Sequence, residues 1–374
     1  MRKFTSLFLH LLRSGLAKRD EFFIPVEAPP PSWFTAVHCQ EYFSDFVSGS
    51  LDEKRMRRIG LPWSPQLVRR TLVEAAGTVL SAQLACEFGI ACSLGGGTHH
   101  AHHNFGSGFT IFNDVVIAAD VVIKEGRASR VLIVDLDVHQ GDGTAALASA
   151  RPSKDVFALS FHCGANFPFR KETSDLDVSF ERGAGDDEFL SKLREVLPSV
   201  LDSFGPDLVL YLSGVDPFEG DKLGLLNLSE DGLRERDLFV FRECTRRGVP
   251  VSGVIGGGYD DDVDKLAARH GLLFESAAQV WREAEGWGGR GVRRRESSEQ
   301  RQQPESPQER KGDLGGGMRL ERLESSSKLE SLTSSPAANV SISSPLFSEK
   351  AVGSFVTPAV PAVSAVSTPL PVEI

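Results

Sequence analysis

The chain alternates short apolar runs with longer segments in which apolar residues recur every three to four positions. The apolar runs are bounded by turn residues and predict strands that are buried on both faces, at residues 131–137, 156–161, 208–213 and 249–255. The periodic segments predict helices at residues 64–88, 113–125, 187–204, 229–247 and 260–278. Strand and helix in alternation predict one α/β domain of three layers, with a mostly parallel sheet covered on both faces.

Residues 1–18 have two interpretations. They contain no acidic residue and have an apolar centre, as an organellar targeting peptide would. Alternatively they form the first helix of the fold, because their apolar residues fall on one helical face and no small-residue cleavage motif follows. We favour the helix; the residues on its face are Phe4, Leu7, Phe8, Leu11 and Leu12.

The last quarter of the chain has a different composition. It is rich in Ser, Pro and mixed charges, and from residue 288 onward its aromatic residues are Phe347 and Phe355. Such a segment buries too little apolar surface to offset the entropy cost of ordering. We therefore expect a folded domain at residues 1–285 and a disordered tail at residues 286–374.

Composition excludes several classes of protein. The 374 residues are 41% hydrophobic, and no run approaches the ~18 apolar residues of a membrane span. Five scattered cysteines without a C-x-x-C pair predict neither a disulfide framework nor thiolate zinc, and favour the cytoplasm or nucleus. Residues 1–285 carry 30 basic and 41 acidic groups, which disfavours direct binding of nucleic acid. The oligomeric state stays open.

Polar residues follow the predicted strands at the points where these strands end. Asp135, Asp137 and His139 lie at the end of the first strand, Asp216 follows the third, and a Gly-Gly-Gly-Tyr turn ending at Tyr259 follows the fourth. Each has an ordinary interpretation as a helix cap, a core histidine or a tight turn. Together they place several carboxylates and imidazoles at one edge of one sheet, where burial requires a compensating cation.

A metal ion supplies that cation. Asp137 and His139 are two positions apart in an extended segment, so their side chains lie on one side, and Asp216 completes three ligands. Three protein ligands leave one coordination position open, which is the pattern of catalytic rather than structural zinc. Because Asp-His-Asp is a harder donor set than usual for zinc, iron(II) and manganese are alternatives.

A hydrolytic site also needs a proton carrier and a donor for the developing oxyanion. His99 and His100 fit the first need, and Asp135 and Asp142 are available to orient their imidazoles. The phenol of Tyr259, on a glycine-rich loop, fits the second.

At these residues the chain resembles the histone deacetylase family, most closely class IV deacetylases and their bacterial relatives. Five motifs occur in family order: GGGTHHAHHNFGSGFTIFND (95–114), VDLDVHQGDGT (134–144), SFHCGANFPFRKETSDLDV (160–178), YLSGVDPFEGDKLG (211–224) and VIGGGY (254–259). The resemblance covers residues 1–280. It implies an arginase/deacetylase fold and a zinc-dependent amidohydrolase that acts on N-acyl-lysine of histones or other proteins. Alternatives are an acetylpolyamine amidohydrolase and an inactive metal-binding scaffold.

The resemblance implies a role for each residue of the polar cluster. It implies zinc on Asp137, His139 and Asp216, and carbonyl polarisation by Tyr259. It also implies two imidazole–carboxylate pairs, namely His100 with Asp142 as general base and acid, and His99 with Asp135 as their electrostatic partner.

The resemblance further implies a substrate channel and a second cation. Gly108, Phe109 and Phe167 match the acyl-lysine channel, where the two phenyl rings enclose the methylene stem of the substrate. A site for a monovalent cation such as K⁺ is implied near the zinc, at Asp135, Asp137, His139, Ser160 and Phe161.

Three features depart from the family pattern. Gln140 replaces a second histidine of many members, which we do not interpret as inactivating. His102 and His103 are less expected and are interpreted as residues of the loop rim. Residues 1–4 resemble a point after the family's first strand, so we expect an N-terminally truncated sequence that lacks an edge strand.

Overall fold

The computed structural model describes residues 2–25, 28–286 and 320–322. The prediction of a disordered tail at residues 286–374 therefore lies almost entirely outside the described residues. Within the described part, the chain forms the expected α/β domain.

Six parallel strands form the central sheet of the domain. The strands of the described residues are β1 (Phe23–Pro25), β2 (Ile90–Ser93), β3 (Val131–Asp135), β4 (Val156–Cys163), β5 (Leu176–Phe180), β6 (Leu208–Ser213), β7 (Val251–Ile255) and β8 (Leu320–Arg322). The order in the central sheet is β2-β7-β6-β3-β4-β5, and each neighbouring pair is parallel. The short strands β1 and β8 form a separate antiparallel pair.

Helices cover both faces of the central sheet. They are α1 (Lys3–Arg13), α2 (Pro31–Thr35), α3 (Gln40–Ser48), α4 (Glu53–Ile59), α5 (Pro65–Phe88), α6 (Asp114–Lys124), α7 (Asp142–Ser149), α8 (Asp186–Phe204), α9 (Glu230–Arg246) and α10 (Val263–Gly286), with a 3₁₀ turn at Arg19–Glu21. Side-chain oxygens cap several of them; Ser64 accepts a hydrogen bond from the backbone N–H of Leu67 at 3.1 Å, and Asn113 accepts one from that of Val116 at 3.0 Å.

Two hydrophobic cores lie on opposite sides of the sheet. Leu132 and Val134 of β3 belong to the core formed with α1, α8, α9 and α10, whereas Val131 and Ile133 belong to the core formed with α2, α3, α5 and α6. This alternation follows from the two-residue period of a strand, and because both faces are covered, β3 is apolar at every position up to Asp135. The prediction of three layers is confirmed.

The first helix packs into the domain. Leu7 and Leu11 of α1 are each 1% exposed and belong to the core, as the interpretation of residues 1–18 as a fold helix requires. In the described part of the chain, no helix is both long enough and apolar enough to cross a lipid bilayer. All five cysteines are free thiols, as expected.

Some boundaries differ from the predicted ones. β3 ends at Asp135, two residues early, where the carboxylate of Asp135 accepts a hydrogen bond from the N–H of Asp137 at 3.1 Å. α10 begins at Val263 because Asp262 caps it, accepting hydrogen bonds from the N–H groups of Asp264 and Lys265 at 3.1 Å. Strands β1, β2, β5 and β8 and helices α2, α3, α4 and α7 were not predicted.

Candidate active site

Three buried side chains with metal-ligand chemistry meet at the carboxyl edge of the sheet. β3 and β6 are neighbours, so the segments that follow them bring Asp137 and His139 next to Asp216. One potential ligand atom of each residue lies within 4.8 Å of the others. Nδ1 of His139 is 3.0 Å from Oδ1 of Asp137 and 3.1 Å from Oδ2 of Asp216. The structure thus brings together the three ligands predicted from the sequence.

The electrostatics of this cluster fit a divalent cation. Burial together with the neighbouring charge of Asp137 raises the pKa of Asp216 to about 7. Burial opposes a charge on His139, but hydrogen bonds with Asp137 and Asp216 outweigh it and raise the pKa of His139 to about 10. Two carboxylates held this close in a dry environment need positive charge, which a metal ion supplies.

Glycines let the backbone approach the carboxylates. The N–H of Gly257 donates a hydrogen bond to Oδ2 of Asp137 at 2.7 Å. A Cβ atom at Gly257 would lie 2.0 Å from Oδ2 of Asp216, and one at Gly214 would lie 2.4 Å from Oδ2 of Asp137. Glycine at positions 214 and 257 therefore lets the backbone lie close to the carboxylates of Asp137 and Asp216.

Two imidazole–carboxylate pairs lie beside the cluster. Nδ1 of His99 donates a hydrogen bond to Asp135, and Nδ1 of His100 donates one to Asp142, both at 2.7 Å. Burial opposes a charge on His99, but Asp135 and Asp137 outweigh it and raise its pKa to about 9. Burial and the neighbouring charge of His99 lower the pKa of His100 to about 4. The geometry contains both pairs that the resemblance implies.

Tyr259 lies next to His139 of the cluster. Its ring centroid is 6.2 Å from that of His139, at an interplanar angle of 86°. Its backbone N–H donates a hydrogen bond to Asp221 at 2.7 Å, which holds the loop. Burial and the charges of Asp216 and Asp137 raise the pKa of Tyr259, so the phenol keeps its proton and can donate a hydrogen bond.

Two phenylalanine side chains lie beside these groups. The ring centroid of Phe167 is 4.9 Å from that of His100, and the ring centroid of Phe109 is 6.4 Å from that of Tyr259. Gly108 has φ +55°, and a Cβ there would lie 2.6 Å from Cδ2 of His100. The structure places all three predicted channel residues beside the candidate active site.

Two other residues of the sequence analysis lie close to the site. Ser160 pairs with Asp135 across β3 and β4, at the position predicted for a monovalent cation; that cation site stays a prediction. The amide of Gln140 accepts a hydrogen bond from the N–H of Glu172 at 2.9 Å and donates one to Asp177 at 2.9 Å. Gln140 thus anchors the segment that follows Phe167, which is a structural role.

Sequence reasoning missed Arg236, which is fully buried on α9. Its guanidinium donates hydrogen bonds to the carbonyl of Gly214 at 2.7 Å and to that of Leu136 at 3.2 Å. These carbonyls flank the segments that carry Asp216 and Asp137. In the sequence, Arg236 stands in a charged helical stretch and gives no signal of burial.

The interpretation of His102 as a rim residue is wrong. Its side chain is buried, and Nε2 donates a hydrogen bond to Oδ2 of Asp142 at 3.0 Å. His103 is exposed, as the rim interpretation requires.

Residues 1–272 match the histone deacetylase domain family. Among curated proteins, an uncharacterized protein of Picosynechococcus sp. is 45% identical, over 75% of this chain and 93% of its own length. Histone deacetylase 2 of Arabidopsis thaliana is 32% identical, over 70% of this chain and 71% of its own length.

Solved structures share the fold. The HDA15 HD domain has a TM-score of 0.62 at 20% identity and covers 74% of this chain and 82% of that one. An acetylpolyamine aminohydrolase from Burkholderia pseudomallei has a TM-score of 0.60 at 19% identity and covers 75% of this chain and 90% of that one. From the match over residues 1–272 and the relatives named above, the chain belongs to the histone deacetylase family of hydrolases.

Proposed function

We propose that the chain is a zinc-dependent amidohydrolase that removes an acyl group from the side-chain nitrogen of lysine in a protein or peptide. One observation carries the proposal: the His100–Asp142 pair and Tyr259 both lie beside His139 of the buried Asp137, His139 and Asp216 cluster. The ring centroids of His100 and Tyr259 are 5.9 Å and 6.2 Å from that of His139. A carbonyl group bound at this cluster would lie near a proton carrier and a hydrogen-bond donor.

Asp137, His139 and Asp216 would hold the metal. A bound zinc ion acts as a Lewis acid on a carbonyl and lowers the pKa of a coordinated water. With Nδ1–H of His100 engaged by Asp142, Nε2 is the atom that takes a proton from the attacking water and gives it to the leaving amine. The phenol of Tyr259 donates a hydrogen bond to the developing oxyanion. Hydrolysis leaves a carboxylate and a free lysine amine.

The loops around the channel support a peptide substrate over a small polyamine. Three apolar residues of these loops are exposed to solvent. Their relative accessible surface is 44% for Phe109, 88% for Phe169 and 45% for Leu223. They suit the apolar side chains and backbone of an extended peptide. A polyamine carries further ammonium groups that would need free carboxylates.

Three carboxylates of the adjoining loops already have partners. Asp221 accepts hydrogen bonds from backbone N–H groups, including that of Tyr259. Asp261 forms an ion pair with Lys222, and Asp260 forms one with Arg269. These contacts favour acyl-lysine over an acylated polyamine.

The test is a hydrolysis assay of the purified chain on an acetyl-lysine peptide and on N-acetylspermidine. We expect turnover of the peptide that a chelator removes and added zinc restores, with the higher kcat/KM on the peptide. A higher kcat/KM on N-acetylspermidine would favour the polyamine alternative. Stoichiometric zinc without turnover on either substrate would show an inactive scaffold.

A further inference from the structure

Asp142 uses both of its carboxylate oxygens to bind imidazoles. Oδ1 accepts the hydrogen bond from Nδ1 of His100 at 2.7 Å, and Oδ2 accepts one from Nε2 of His102 at 3.0 Å. All three side chains are buried. The pair that serves the proposed proton transfer is therefore part of a chain of three residues, with His102 at the end remote from the metal cluster.

The ring of His102 is held in place independently of any substrate. It stacks on Phe105 with a centroid distance of 4.3 Å and an interplanar angle of 29°. Its backbone N–H donates a hydrogen bond to the carbonyl of Phe105 at 2.9 Å. Its own carbonyl accepts a hydrogen bond from Nδ1 of His38 at 2.8 Å. These contacts fix the direction of Nε2, which points at Asp142.

A second donor has a physical consequence for Asp142. Burial raises the pKa of a carboxyl group, but the hydrogen bonds from His100 and His102 outweigh it and hold the pKa of Asp142 well below its usual range. A carboxylate bound at both oxygens also cannot rotate freely about its Cβ–Cγ bond. Oδ1 therefore stays in line with Nδ1 of His100, which fixes that imidazole's tautomer and orientation.

We propose that His102 is a positioning residue of the active site, which locks the Asp142 carboxylate so that His100 presents Nε2 to the reacting atoms. The proposal rests on the proposed amidohydrolase function. His102 does not act on the substrate itself. Its far side borders a surface cavity of about 510 Å³ that is also lined by His103, Phe105 and Arg151, and the lining of this cavity includes none of the metal-cluster or channel residues.

Three single variants test the role. His102→Leu removes the donor; His102→Gln keeps an N–H donor at nearly the same distance from the backbone; His103→Leu alters the exposed neighbour. We expect His102→Leu to lower kcat about 10- to 100-fold, the usual range for a residue that orients a site through another side chain, with KM within about twofold. His102→Gln should recover kcat to within about threefold of the parent, and His103→Leu should match the parent.

A second measurement separates positioning from folding. If His102 acts through Asp142, adding His102→Leu to Asp142→Asn should change kcat less than about twofold, because residues that act as a unit are not additive. Thermal unfolding of each variant checks the fold. Unchanged kcat in His102→Leu, no recovery in His102→Gln, or fully additive losses would each overturn the role of His102. A parent chain without turnover on any acylated amine would overturn the proposed function itself, and the role of His102 with it.

Discussion

The ammonium group of Lys3 donates a hydrogen bond to the carbonyl oxygen of Gly256 at 3.1 Å, across 253 positions of the chain. Gly256 opens the glycine-rich segment that ends at Tyr259. Burial lowers the pKa of Lys3, while the negative charges of Glu74 and Asp216 oppose that shift. The first helix thus supports the loop that carries the proposed oxyanion donor.

Replacing Lys3 should therefore affect both stability and activity. Lys3→Met keeps an unbranched side chain, one atom shorter, and removes the donor to Gly256. We expect the free energy of unfolding to fall by about 1–3 kcal/mol, the usual cost of removing a partner from a buried polar group. Urea denaturation measures this, and the kcat of the variant should also fall. The exposed Lys54→Met is the matched control, and equal effects in the two variants would contradict the prediction.

Metal binding should depend on Asp216. Asp216→Asn keeps the shape of the side chain and removes one of the two buried carboxylates that face His139. We expect the zinc content per chain and the deacylation activity to fall together. The measurement is the zinc content per chain after dialysis. Asp187→Asn, at an exposed residue, is the control. Full zinc occupancy in Asp216→Asn would remove this residue from the ligand set.

Removing only the hydroxyl of Tyr259 should separate catalysis from metal binding. Tyr259→Phe keeps the aromatic ring, whose centroid is 6.4 Å from that of Phe109. We expect kcat to fall about 10²- to 10³-fold, the usual cost of losing one oxyanion donor, with KM and zinc content nearly unchanged. Steady-state kinetics on an acetyl-lysine peptide provide the measurement. If Tyr259→Phe were as active as the parent, the hydroxyl of Tyr259 would have no role in catalysis and the loop would be only a structural turn.

The central sheet and the cluster of Asp137, His139 and Asp216 could be predicted because their signals are local. Strands such as residues 131–135 are apolar up to their last residue, and the candidate ligands Asp137 and Asp216 follow within three residues of the strand ends. The ligand-bearing edge of a parallel sheet then follows from topology. β5 was not predicted because it is an edge strand and lacks a continuous apolar run. Its Leu176 is exposed, and its Asp177 accepts a hydrogen bond from Gln140.

Supporting contacts between distant segments could not be predicted. Arg236 and Lys3 look like solvent-facing charges on amphipathic helices, but their side chains donate hydrogen bonds to carbonyl groups of Gly214 and Gly256 that only the tertiary fold brings near. The sequence around His102 likewise does not indicate its contact, because its partner Asp142 is 40 positions away. Residue type and spacing in the sequence therefore identify the candidate site residues better than the residues that support them in the fold.

Stability should depend on pH through His38. Nδ1 of His38 donates a hydrogen bond to the carbonyl of His102, and Nε2 accepts one from the N–H of Asn113 at 2.9 Å, so the neutral imidazole is required. Burial lowers the pKa of His38 to about 4 from 6.5. As the pH falls below 6.5 the unfolded chain binds this proton first, so the contribution of His38 to stability is present above pH 6.5 and is lost as the pH approaches 4.

A comparison of unfolding free energies at two pH values tests this sign. Between pH 7 and pH 5 we expect the parent to lose about 2 kcal/mol more than His38→Asn, which has no titrating group at this position. Urea denaturation curves at both pH values supply the numbers. His103→Asn, at an exposed histidine, should lose as much as the parent. Parallel losses in the parent and in His38→Asn would show that His38 takes up its proton equally in the folded and unfolded chain.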